Sequence, residues 1–110
     1  MYKTIMIGSK EVNMQSNAAT PFRFKNIFGL DLLKIFTNAS EENISTQLEA
    51  GQMLAFVMAK QAEGVDMNKL NVDHFYTWLE DYSSNDMYDA LEAIIEVWQS
   101  STKTSSTAKK

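Results

Sequence analysis

The side chains that could do chemistry in this chain are few and scattered. His74 is the sole histidine, and helical spacing puts Thr77 and Asp81 on its face, a grouping that could relay a proton or hold a metal ion. No second histidine, no Glu-x-x-His pair and no Gly-x-Ser-x-Gly elbow accompanies it, so the expectation is a solvent-exposed histidine without a catalytic or metal role. The absence of cysteine excludes thiolate catalysis, disulfides and cysteine-bearing zinc sites, and leaves the redox compartment undecided. Gly8, Gly29, Gly51 and Gly64 lie too far apart to build a phosphate cradle. They read as turn or helix-end residues, with Gly51 a close-packing point. No catalytic residue, metal set or cofactor is expected.

The constellation that remains is acidic. Asp89, Glu92 and Glu96 recur at spacings of three and four on a segment with no lysine or arginine. Like charges at those spacings cost a helix about 0.2–0.5 kcal/mol per pair. Glu96 also lies towards the negative end of the helix dipole. Two readings follow, a solvated face or a dock for a basic partner. Methionine poses the same choice: Met53, Met58 and Met87 fit core positions, while an adaptable methionine-rich surface is the alternative.

The elements that must position these residues are legible from pattern. Thr4–Ile7 and Glu11–Gln15 alternate as strands, and Gly8-Ser9-Lys10 supplies a turn. An isolated hairpin is marginal in water, so it should pack on helices or pair with another chain through an open edge. Pro21 suits the first turn of a helix, and Thr20 before it is the expected N-cap. Gly29 should end that helix in the left-handed conformation, and Asp31 should cap or lead the next one, Leu32–Phe36. Asn38–Asn43 reads as a polar linker. Thr46-Gln47-Leu48-Glu49 has the form of a capping box opening a helix that runs to about Ala62, with Gly64 as its C-terminal cap. Met53–Ala59 is apolar on all sides of that helix, which makes it central in the fold or buried by a partner.

A further helix is expected over Asp73–Tyr82, with Val72, Phe75, Trp78, Leu79 and Tyr82 on one face. After a break at Ser83-Ser84-Asn85, a last helix over Asp86–Gln99 should bury Met87, Leu91, Ile94, Ile95 and Trp98. From Ser100 the chain lacks any anchoring hydrophobic residue and reads as a disordered tail, residues 100–110. The expected fold is therefore mainly α (α+β): an N-terminal β-hairpin at about 3–16, then four to five helices in a compact bundle at about 20–99, in one domain.

At 110 residues and 45% hydrophobic content the chain is long enough to form a core without staples. Its longest apolar run, Met53–Ala59, is far short of a membrane span, and its N-terminus is too short an apolar stretch for a signal peptide. An unexported protein without a membrane partner is expected. The net charge of -4 hides an asymmetry: the first 34 residues carry +3, residues 35–102 carry -10 and the last eight carry +3. The acidic body argues against a nucleic-acid partner. The basic front, with Arg23 and Lys25, could engage an acidic body of another copy, giving self-association, and Asp89, Glu92 and Glu96 could engage a basic protein.

Ala19-Thr20-Pro21-Phe22-Arg23-Phe24, followed by Phe28-Gly29-x-Asp31-Leu32, a preceding hairpin and the later helix containing Leu54-Ala55-Phe56-Val57-Met58-Ala59-Lys60 resemble the tail assembly chaperones of long-tailed bacteriophages and prophages of low-GC Gram-positive bacteria. The resemblance spans about Ile5 to Trp98. Its specific part is Thr20, Pro21, Phe28, Gly29 and Asp31. It implies a non-enzymatic protein of the host bacterial cytoplasm that coats and solubilises the tape-measure protein, helps recruit tail-tube protein and is absent from the mature virion. In many members a frameshift yields a longer product, and Lys109-Lys110 is compatible with an A-rich slippery run. The competing reading is a structural virion protein, such as a head-tail connector or tail completion subunit.

Overall fold

The computed structural model describes residues 2–37 and 44–102. Strands β1 (Tyr2–Ile7) and β2 (Lys10–Gln15) form an antiparallel two-stranded sheet, and helices α1 (Thr20–Phe28), α2 (Leu32–Thr37), α3 (Ile44–Glu63), α4 (Val72–Leu79) and α5 (Ser84–Thr102) follow. A 3₁₀ turn, Met67–Lys69, joins α3 to α4. The expected hairpin-plus-bundle fold is the observed one. The Asn38–Asn43 linker and the tail residues Lys103–Lys110 lie outside the described residues.

Ile7 pairs with Lys10, so the hairpin turn is the two residues Gly8-Ser9, and Lys10 belongs to β2. Gly8 has φ +63, and an added Cβ would sit 2.3 Å from Asp86 Oδ2. Conformation and closeness together require glycine at this position. Alternation places Ile5, Ile7, Val12 and Met14 inward, all buried. The hairpin packs on helices, β2 against α3 and β1 against α5.

Helix α3 is the centre of the molecule. It contacts β2, α1, α2, α4 and α5, and Leu54–Ala59 are all buried, which is what an all-round apolar segment requires. Gly51 allows α5 to approach: a Cβ there would meet Leu91 Cδ2 at 2.5 Å. Gly64, φ +75, ends the helix as expected.

Several helix boundaries depart from the sequence reading. Thr20 does not cap α1; it is the first helical residue, fully buried, and Ala19 before it is itself helical without a side-chain cap. Asn17 caps the preceding turn instead, its Oδ1 accepting from Ala19 N–H at 2.9 Å while Thr20 Oγ1 reaches back to accept from Asn17 N–H at 3.0 Å. Thr20 thus closes a turn that Asn17 opens three residues earlier, and Pro21 follows it inside the helix. Thr46 lies inside α3, which starts at Ile44, so Thr46-x-x-Glu49 is not its cap. Helix α4 ends at Leu79 and turns through Tyr82.

Helix α5 starts at Ser84, not after it, because Ser83 Oγ accepts from Asp86 N–H at 3.1 Å. It also continues to Thr102, so Ser100, whose hydroxyl donates to the Glu96 carbonyl at 2.8 Å, is helical and not the start of a tail. Of its expected core stripe, Met87, Leu91, Ile94 and Trp98 are buried, joined by Ala90 and Val97, while Ile95 is only half-buried.

Candidate partner-binding surfaces

The Thr20–Asp31 segment folds as two short helices with an elbow between them. Gly29 takes φ 72, ψ 15, and its N–H donates to the Lys25 carbonyl at 2.7 Å, closing α1 as the left-handed cap that the sequence suggested. Asp31 Oδ1 then accepts from Lys34 N–H at 3.1 Å and caps α2. Phe28 fixes the elbow to the body. Its ring lies 5.2 Å from Phe24, 6.3 Å from Phe56 on α3 and 5.2 Å from Phe75 on α4, in the tilted and edge-on geometries that aromatic pairs favour. Pro21 sits in the first turn, where its missing N–H costs nothing. Thr20, Pro21, Phe28, Gly29 and Asp31 therefore all shape the two-helix segment.

Sequence reasoning missed the residue that holds the base of this segment. Gln61 of α3 is buried, and its Nε2 donates to the Gln15 carbonyl at 2.6 Å and to Thr20 Oγ1 at 3.0 Å. One side chain ties the end of β2 and the start of α1 to the central helix. A glutamine near the end of a helix gives no local sign of a tertiary role, so only the fold exposes it.

The acidic candidates lie along one side of α5. Asp89, Glu92 and Glu96 are exposed, and none of their carboxylates has a hydrogen-bond or ion-pair partner among the described residues; the salt bridge found among those residues joins Lys60 and Glu63 of α3 at 3.3 Å. The extension of α5 to Thr102 places Glu96 more than one turn from the helix end, which weakens the dipole penalty on it. Tyr88, 49% exposed, stands one turn before Glu92. Arg23 and Lys25 are exposed on α1, which packs on α2 and α3, whereas α5 packs on α3 and β1. The acidic and basic candidates thus belong to separate surfaces.

His74 is exposed, as expected, and has a structural task that the sequence reading did not assign. Asn71 Oδ1 accepts from His74 N–H at 3.3 Å, and His74 Nδ1 accepts from Asn71 N–H at 3.1 Å, a reciprocal cap on α4. Thr77 Oγ1 donates to the Asp73 carbonyl, so it does not join His74 in a relay. Among the described residues no cluster of three or more His, Asp or Glu side chains could hold a metal ion, and no helix is long and apolar enough to cross a membrane. Among the described residues Tyr82 is the titratable group clearly displaced: partial burial, then the nearby carboxylates of Asp81 and Glu63, push its phenol up from 10.0. Lys10 lies over its ring at 5.0 Å and donates to the Asp81 carbonyl, fastening β2 to the α4–α5 connection.

Comparison with protein-family models, with curated proteins and with solved structures gives no significant match.

Proposed function

We propose that this chain is a tail assembly chaperone of a long-tailed phage or prophage, which binds and solubilises a tape-measure protein and helps recruit tail-tube protein around it, without catalysis, in the host cytoplasm. The observation that carries the reading is the Thr20-Pro21 to Phe28-Gly29-x-Asp31 string, the specific part of the resemblance. The exposed acids of α5 support it. Asp89, Glu92 and Glu96 form a surface with no internal counter-charge among the described residues, suited to a client rich in lysine or arginine. Arg23 and Lys25 on the opposite-charged α1 surface, and the unpaired edges of the two-stranded sheet, offer contacts between copies assembled along such a client.

The test is co-expression with the tape-measure protein of the same genome. The expected result is a soluble complex recovered by pull-down, and a tape-measure protein that stays insoluble and unbound overturns the reading. Presence of the chain in purified virions would favour the structural-subunit alternative.

A further inference from the structure

Between α3 and α4 the surface opens into a groove of about 250 Å³ lined by Glu49, Gln52, Met53, Phe75, Tyr76 and Leu79. Past Gln52 and Leu79 it continues into a shallower depression of about 80 Å³ at the start of α5. Phe75 is buried and Met53 and Leu79 are half-buried, so the lining is largely apolar, while Tyr76 stays 57% exposed with its ring 5.7 Å from Phe75. The volume falls below the roughly 300–1,000 Å³ usual for small-molecule sites. It suits a side chain better than a free metabolite.

The charged side chain that lines it is acidic. Glu49 is the carboxylate lining the groove, and helical spacing sets Asp73 and Glu80, both exposed, one turn to either side of Tyr76. Helix α4 carries no lysine or arginine, and the single lysine of α3, Lys60, is paired with Glu63. The walls are two helices whose backbone groups are already bonded along their axes. An extended peptide would find no ladder for its own N–H and C=O groups there, whereas a helix arrives with them satisfied.

We propose that this groove docks a partner helix through one apolar side chain flanked, a turn away, by lysine or arginine. The site is distinct from the acidic face of α5, and the proposal holds for any partner of that chemistry, tape-measure protein or other. The apolar side chain seats between Met53, Phe75 and Leu79, Tyr76 closes over it, and the flanking cation meets Glu49.

The experiment uses the full chain and two synthetic helical peptides identical except for the residues flanking a central leucine, lysines in one and glutamates in the other. Amide chemical shifts are followed during titration. The lysine-flanked peptide should shift Gln52, Tyr76 and Leu79 and bind about fivefold more tightly than its counterpart, the scale of a partly exposed ion pair. Glu49→Lys should reverse that preference. Tyr76→Ala, with folding checked by circular dichroism, should weaken both peptides about tenfold. Equal affinities, absence of shifts at the groove, shifts confined to α5, or an unchanged preference in Glu49→Lys would each overturn the proposal.

Discussion

Two polar regions of this molecule stand in opposite relation to its fold. Where β2 runs into α1, Gln61 and Thr20 are buried and bonded to each other, to the Gln15 carbonyl and to the Asn17 N–H. Along α5, Asp89, Glu92 and Glu96 are exposed, and their carboxylates make no bond among the described residues. The neutral pair holds three elements together, and the charged trio holds none. Charge is thus a poor guide to structural weight: what matters is the cost of leaving a group unpaired, about 1–3 kcal/mol for a buried donor or acceptor and close to nothing for one that water can reach. The buried junction is committed to the fold, and the acidic face is left over for something else.

The largest test of that contrast is at the junction. Thr20→Val keeps the shape but strands the Asn17 N–H and leaves the Gln61 amide one acceptor short, and Gln61→Leu strands the Gln15 carbonyl. Each should destabilise the fold by about 2 kcal/mol in urea denaturation. The double variant should cost clearly less than the sum, because both changes break the same bond. Additive losses would show that the two residues act separately and that the junction is not one unit.

Gly29 lies between the two extremes, exposed yet conformationally committed. Its φ of 72 is strained for any side chain, but an added Cβ would meet nothing within 4 Å. The penalty for Gly29→Val is therefore backbone strain without a clash, about 1–2 kcal/mol. A variant with an unchanged melting temperature would mean that the elbow can close without a left-handed residue.

How far the sequence could be read follows the same division. Features with a local cause were legible: the alternating strands, Gly29 and Gly64 as left-handed caps, Asp31 as a cap, and α3 as the central helix. Features whose cause is a distant residue were not. Thr20 looked like an N-cap because a threonine before proline usually is one, but Gln61, forty-one residues later, holds it in the interior, and Asn17 caps the turn instead. The groove was equally hidden. Met53 read as core and Tyr76 had no assigned face, and only the packing of α4 on α3 sets them beside each other. The acidic stripe was legible as a stripe, since its spacing is local.

The smallest expected effect on stability falls on that stripe. Glu92→Gln with Glu96→Gln removes a like-charge pair four residues apart on a helix that offers no cation, so the melt should be unchanged or improved by about 0.2–0.5 kcal/mol. Client binding should carry the loss, read by pull-down of the tape-measure protein and by its dependence on salt, because contacts between exposed charges weaken as ions screen them. The same double variant separates this face from the groove: it should leave the lysine-flanked peptide bound between α3 and α4, where Glu49 and not Glu92 meets the cation. Intact client binding with unchanged stability would make the stripe merely solvated surface, and a destabilised fold would give these acids a structural partner that the contrast between the two regions denies them.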